Sequence, residues 1–242
     1  MICETIQRLH TELPPTVKLV AVSKFHPFES IVEAYEAGQR IFAESRPQEL
    51  MAKVRQLEEM RASRVAETRL AGGDVEDAEA WLSDVEWHFI GHLQTNKLKM
   101  VLPYVSLVQS VDSLRLLQAI NAWGEHNAKV ISVLLEPHVA AEETKQGFSP
   151  EEILAILADA SSYEYICFKG IMGMATFTED ESVINSDFAA LADIFARCRS
   201  SFPSLAPDFT ELSIGMSDDY PLAISHGSTM VRIGSMIFGA RQ

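Results

Sequence analysis

Residues 17–23 read VKLVAVS, a short run of apolar and β-branched residues without polar alternation. A parallel strand covered by helices on its outer face has this pattern, because both of its faces are buried. Seven further runs of the same kind follow along the chain: RIFAE (40–44), VEWHFIG (85–91), VSLVQSV (105–111), AKVISVLLE (128–136), YICFKGIM (165–172), FTELSIG (209–215) and TMVRIG (229–234). We therefore expect a sheet of parallel strands joined by crossover connections.

The stretches between these runs carry apolar residues at helical spacing, notably 30–37, 113–125, 150–160 and 180–199. Eight strand–helix units in 242 residues predict an α/β fold, a single (β/α)8 TIM barrel spanning residues 1–242. The alternative is an open doubly wound sheet. Its dinucleotide-binding version needs GxGxxG after the first strand, where this sequence has SKFHPFES. Residues 60–84 are polar around Gly72-Gly73, and we expect an exposed insertion there.

The composition excludes several classes of function. A formal net charge of −14 disfavours nucleic acid and anionic membrane as partners. Cys3, Cys167 and Cys198 form no CxxC pair, which indicates neither a disulfide framework nor a zinc site. His88 and His92 are four apart but fall on a strand and its exit, so we expect no metal. With no signal-like or membrane-spanning run, the sequence predicts a cytoplasmic protein.

In a TIM barrel the functional residues lie where the strands end. This rule selects Ser23, Lys24, Glu44, His88, Gln109, Gly173, Ser213, Gly215, Met216, Ser217, Arg232, Gly234 and Ser235. Lys24 follows a buried strand, where desolvation would favour the neutral, nucleophilic amine; an ordinary surface lysine at a strand end is the alternative. Arg232, flanked by Val231 and Ile233, needs a partner, which is either a structural carboxylate or a ligand.

Two glycine- and serine-containing segments follow the last two strands, GMSDD (215–219) and GSMIFG (234–239). Loops in these positions commonly hold a phosphate in TIM barrels, because glycine exposes backbone N–H groups and serine adds hydroxyl donors. Ordinary helix capping would explain the same residues. The sequence alone therefore leaves a phosphate site and a structural role both open.

Seven ordered motifs resemble the pyridoxal 5′-phosphate (PLP) homeostasis protein family. They are AVSKFHP (21–27), IFAESRPQEL (41–50), EWHFIGHLQTNKLK (86–99), TKQGF (144–148), GIMGMA (170–175), LSIGMSDDYPLAI (212–224) and GSTMVRIGSMIFGAR (227–241). The resemblance runs from about residue 17 to the C-terminus, apart from residues 60–84. It implies a fold like the N-terminal barrel domain of alanine racemase, a fold-type III PLP enzyme.

The resemblance also implies a role for each site residue. Lys24 would carry PLP as a Schiff base, and Arg232 would face the pyridine nitrogen. The phosphate would be held by Ser213, Met216, Ser217, Gly234 and Ser235, and the ring pocket would include His88 and Ser45. The sequence departs from the family at Ser45-Arg46, where asparagine and an aromatic residue are usual, and at Ser235, which replaces a threonine.

The implied function is PLP (vitamin B6) and amino-acid homeostasis without efficient catalysis. A pyridine nitrogen facing Arg232 stays unprotonated, which weakens the ring as an electron sink. The racemases take a second base from an additional domain, which we do not expect here; a low-activity amino-acid racemase is the alternative. The expected partners are PLP, PLP-dependent apo-enzymes and amino acids. We expect a monomer, and the role of Lys145 stays open.

Overall fold

The computed structural model describes residues 1–139 and 147–239, which form a closed barrel of eight parallel strands. Each strand pairs with its neighbour in sequence, and β8 (Met230–Ile233) pairs with β1 (Lys18–Val22) to close the barrel. The strands between them are β2 Ile41–Glu44, β3 Glu86–Phe89, β4 Leu107–Val111, β5 Ile131–Leu135, β6 Ile166–Met172 and β7 Glu211–Ser213. Every one of the predicted strand runs contains one of these strands, and the predicted barrel is confirmed.

Helices precede the barrel and follow its strands. They are α1 Ile2–Glu12, α2 Phe28–Glu36, α3 Pro47–Leu70, α4 Glu76–Ala80, α5 Leu98–Val101, α6 Leu114–Asn127, α7 Pro150–Ala158, α8 Glu181–Ser201, α9 Tyr220–Ser225 and α10 Ser235–Phe238. Three of these helices, α6, α7 and α8, begin at a residue whose side chain caps the helix. At α7 the Ser149 hydroxyl accepts from the Glu152 amide while the Glu152 carboxylate accepts from the Ser149 amide, a reciprocal capping box. Asp180 caps α8 in a similar way by accepting from the Ser182 amide.

Two apolar layers hold the barrel. The larger lies between the strands and the helices around them and includes Phe42, Phe89 and Phe188. The smaller fills the barrel interior and consists of Val20, Val22, Ala43, Leu107, Leu134, Met172 and Met230. Residues two apart on a strand share a face, so Arg232 points inward with Met230 and Gln109 points inward with Leu107. The upper interior is therefore polar in part.

The segment 60–84 continues α3 to Leu70 and then turns into the short helix α4. Leu70 is 89% exposed, and the face that α3 buries is confined to its first half, at Leu50, Lys53, Val54 and Leu57. The expected insertion is not exposed throughout, because Ala78 and Leu82 are buried. Within the described ranges, none of the helices has the combination of length and apolarity that crossing a bilayer requires.

Candidate functional site

A cavity of about 270 Å³ opens at the C-terminal ends of the strands. Loops after β1, β3, β6, β7 and β8 contribute to its wall. The lining residues are Val22, Lys24, His26, Ile90, Met172, Met174, Met216, Ser217, Asp218, Arg232, Gly234, Ser235 and Gly239. Six of the predicted site residues are thereby brought to one place: Lys24, Met216, Ser217, Arg232, Gly234 and Ser235.

Lys24 stands on the loop between β1 and α2, two residues beyond the end of the strand. It is half-buried and forms part of the cavity wall, as does His26 from the same loop. Burial, followed by the charge of Lys53, lowers the pKa of His26, which favours its neutral imidazole. The loop thus offers the cavity one primary amine and one imidazole.

Arg232 lies in the inner face of β8, with 4% of its surface exposed. Its Nη1 donates to the carbonyl and to the hydroxyl of Ser213, both at 2.7 Å, and its Nη2 donates to the carbonyl of Gly173 at 2.8 Å. Burial lowers the pKa of the guanidinium to about 10, opposed by the charges of Glu136 and Asp219. Arg232 therefore remains a cation at neutral pH, fixed against the ends of β6 and β7.

A buried chain of hydrogen bonds continues below Arg232. The Ser213 hydroxyl, which accepts from Arg232, donates to Gln109 Oε1 at 2.7 Å. Gln109 Nε2 lies 2.8 Å from His88 Nδ1, and because an amide NH2 only donates, that ring nitrogen must accept. Burial, followed by the charge of Lys18, lowers the pKa of His88 to about 3, so its imidazole is neutral. The directions of all the bonds in this chain are mutually consistent.

The loops after β7 and β8 form another part of the wall. The Ser217 hydroxyl accepts from the amide of Gly234 at 3.3 Å, which ties the two loops together. Gly215 has φ +96°, and a Cβ there would lie 2.6 Å from the Ala223 Cβ. A Cβ on Gly234 would lie 3.2 Å from the Val22 carbonyl oxygen. Both glycines let these loops approach β1 and α9 closely.

Three of the nine residues that were expected to contact PLP are not in the cavity wall. Ser213 and His88 are buried beneath it, in the hydrogen-bond chain under Arg232. Ser45 is half-buried where the loop after β2 packs against Gly91, whose missing Cβ would meet the Ser45 carbonyl at 2.1 Å. Lys145, from the TKQGF motif, lies outside the described residues. Strand-end position alone does not distinguish a wall residue from one that supports it.

Sequence reasoning missed His26, Met172, Met174 and Gly239 in the wall. His26 lies in the quoted AVSKFHP motif and Gly239 in the last one, so both could have been found as near neighbours of chosen residues. His92, which was not expected to bind a metal, pairs through Nδ1 with Asp112 at 2.8 Å. Over the described ranges, no three His, Cys, Asp or Glu side chains gather in a way that could hold a metal ion.

The fold and the site together define a (β/α)8 barrel that presents a lysine, a buried arginine and two glycine-containing loops at one mouth. The family model described as alanine racemase, N-terminal domain, matches residues 2–242. The chain is 34% identical over 226 residues to the pyridoxal phosphate homeostasis protein of Haemophilus influenzae, covering 93% of this chain and 86% of that one. The chain belongs to the pyridoxal phosphate homeostasis protein family.

Solved structures agree with this assignment. PipY of Synechococcus elongatus, solved with PLP bound, superposes with a TM-score of 0.83 at 31% identity, covering 99% of this chain and all of that one. Alanine racemase from E. faecalis gives a TM-score of 0.64 at 19% identity, and this chain covers 57% of it. The second likeness concerns the barrel fold alone.

Proposed function

We propose that this protein binds PLP in the cavity as a Schiff base on Lys24 and acts in PLP and amino-acid homeostasis. The observation that carries the proposal is the meeting of Lys24, Arg232 and the two glycine-containing loops in one cavity. The 31% identical PipY, whose structure was solved with PLP bound, supports it. The predicted cytoplasmic location, monomeric state and exchange with apo-enzymes or amino acids remain proposals.

The donor set of the cavity fits PLP, which is a flat ring bearing an aldehyde, a pyridine nitrogen and a phosphate. The cavity wall offers a primary amine, a fixed cation, and hydroxyl and backbone donors. Its volume of about 270 Å³ is just under the roughly 300–1,000 Å³ of drug-sized ligand sites, as suits a small cofactor. When bound, PLP supplies an aldehyde carbon that condenses with a neutral amine and releases one water.

Lys24 and Arg232 act on different parts of the PLP ring system, the aldehyde and the pyridine nitrogen. Lys24 supplies the amine that forms the linkage, from a half-buried position in the cavity wall. Arg232 holds a positive charge that keeps a facing pyridine nitrogen unprotonated, because two cations in one dry site repel. A ring held in that state stabilises carbanions poorly, so the site favours holding the cofactor over amino-acid chemistry.

The phosphate is assigned to the wall made by the loops after β7 and β8. Ser217, Gly234 and Ser235 line it, together with Met216. We revise two expected roles. The Ser213 hydroxyl is engaged by Arg232 and Gln109, and His88 by Gln109, so both residues orient Arg232 from below instead of contacting phosphate or ring.

The test is a spectrum followed by mapping of the modified lysine. Protein loaded with PLP should show a visible absorbance band, and borohydride should convert the linkage into a stable adduct on Lys24. Lys24→Ala should lose the band and the adduct, whereas Lys99→Ala, at an exposed position on α5, should keep both. An adduct on another lysine, or no adduct on the unmodified protein, would refute the proposal.

A further inference from the structure

Lys53 is a charged residue inside the protein, with 4% of its surface exposed, although it lies on the helix α3. Its ammonium donates to the Ser23 carbonyl at 2.7 Å, to Glu44 Oε1 at 2.6 Å and to Glu49 Oε1 at 3.1 Å. An ammonium has three N–H donors, and all three are used. The cavity wall does not include Lys53, so this buried cation acts on the cavity only through the groups that it binds.

What it holds is the backbone on both sides of Lys24. The Ser23 carbonyl belongs to the peptide unit before Lys24, and Lys53 donates to it. The Phe25 amide belongs to the peptide unit after Lys24, and it donates to Glu49 Oε1, which Lys53 also binds. The Ser23 hydroxyl donates to Glu44 Oε1 at 2.6 Å, a third tie to the same cluster. Both peptide units of Lys24 are thus fixed by one set of charges.

The backbone next to Lys24 is strained at Phe25, and the hydrogen bonds to the Lys53 cluster hold it in that conformation. Phe25 has φ +68°, in the left-handed region that residues with a Cβ rarely adopt. Such strain persists where surrounding contacts over-determine it, and it is concentrated at functional sites. The guanidinium of Arg46 lies 4.5 Å from the centre of the Phe25 ring and covers it from outside.

We propose that Lys53, held between Glu44 and Glu49, is a positioning residue that fixes the point from which the Lys24 side chain enters the cavity. The inference rests on the proposed linkage of PLP to Lys24. A lysine side chain has four rotatable bonds, so its amine reaches one aldehyde carbon reproducibly only if its backbone is fixed. Fixing that origin in advance lowers the entropic cost of forming the linkage.

The test compares two ligands that differ only at the reacting carbon. PLP can link to Lys24, whereas pyridoxine 5′-phosphate has an alcohol in place of the aldehyde and cannot. Removing Lys53 alone would leave Glu44 buried without its cation, so the variant is Lys53→Met with Glu44→Gln. This pair of substitutions removes one positive and one negative charge and leaves the net charge of the cluster unchanged.

The expected result is selective. The dissociation constant for PLP should rise at least tenfold, and the visible band and the borohydride adduct on Lys24 should weaken. The dissociation constant for pyridoxine 5′-phosphate should change less than twofold. Lys129→Met is the matched control, because the Lys129 ammonium also donates to two backbone carbonyls, Leu102 at 2.7 Å and Pro103 at 3.1 Å, away from the cavity. It should behave like the unmodified protein with both ligands.

Equal losses for the two ligands would mean that Lys53 only supports the fold, and no loss for either would mean that it does not position Lys24; both results overturn the inference. If the double variant fails to fold, Glu49→Ala is the alternative variant, because Glu49 is only half-buried and its carboxylate accepts from the Phe25 amide. Its loss should weaken binding of PLP but not of pyridoxine 5′-phosphate. If the unmodified protein forms no adduct on Lys24, the proposed function fails first. If the unmodified protein forms the adduct on Lys24 but the variant affects both ligands equally, only the proposed role of Lys53 is refuted.

Discussion

The neutrality of His88 predicts how the stability of this protein depends on pH. His88 is buried in the barrel with 3% of its surface exposed, and its Nδ1 accepts from Gln109. Its pKa falls from an ordinary 6.5 to about 3, because burial penalises the imidazolium and, secondarily, because Lys18 repels it. Protonation would also place a donor opposite the donating amide of Gln109. The folded protein therefore keeps His88 neutral far below neutral pH.

The consequence is a loss of stability in mild acid. Between pH 7 and pH 5 the unfolded chain binds a proton at His88 and the folded protein does not, so the free energy of unfolding falls as pH falls. With a pKa of about 6.5 unfolded and about 3 folded, the loss over this interval is about 2 kcal/mol. The loss continues towards pH 3 and stops there, once the folded protein binds the same proton.

The variant that isolates this effect is His88→Asn, whose side-chain oxygen can replace Nδ1 as acceptor but does not titrate. Its smaller volume lowers stability by a roughly constant amount at every pH. Urea unfolding at pH 7 and pH 5 should show that the unmodified protein loses about 2 kcal/mol more than the variant between the two conditions. His10→Asn, at an exposed position on α1, is the control. Equal losses in the unmodified protein and His88→Asn would refute the buried, neutral assignment of His88.

Three further predictions concern the site and the fold. If Arg232 suppresses carbanion chemistry, PLP-loaded protein should not speed α-deuterium incorporation into L-alanine in D₂O beyond the rate with free PLP; saturable exchange seen by proton NMR would favour the weak racemase. Cys198, 1% exposed and with its thiol pKa raised by burial to about 11, should react with a thiol reagent only after unfolding, whereas the half-exposed Cys3 and Cys167 should react in the native protein. In urea titrations, Gly215→Ala should lower the free energy of unfolding by roughly 1–3 kcal/mol more than Gly38→Ala does, because Gly38 has a similar positive φ but open space around it. Equal effects of the two substitutions would mean that the contact with Ala223 is relieved without cost.

The sequence was most informative where burial is continuous. The strands of this barrel are apolar on both faces, so VKLVAVS and its seven counterparts stood out without any tertiary information. Lys24, Arg232 and Gly234 could be selected because the strand-end rule needs only the strand boundaries. These are local properties of the chain, and the structure brings the selected residues to one cavity.

The supports of the site could not be read in the same way. Lys53 follows Glu49 by four residues on a helix, the spacing of an ordinary surface ion pair, and its burial depends on how α3 packs over the β1 loop. The contact between Gln109 and Ser213 joins residues 104 positions apart, on strands that are not neighbours in the barrel. Such contacts follow from the closed geometry of the barrel, which no local pattern contains.

Closure of the barrel is also what creates the site. Lys24 follows β1 and Arg232 lies in β8, the first and last strands, which pair with Val20 opposite Arg232 and Ala21 opposite Ile233. In the open sheet considered as the alternative, no such seam would join the two ends of the chain, and the amine and the guanidinium would have no common cavity. Each side of this seam has its own support: the Lys53 ammonium binds the Ser23 carbonyl next to Lys24, and the Ser213 hydroxyl links Arg232 to Gln109. Backbone hydrogen bonds between β1 and β8 therefore fix the spacing of the two backbone positions from which Lys24 and Arg232 extend, as a ring held at both ends requires.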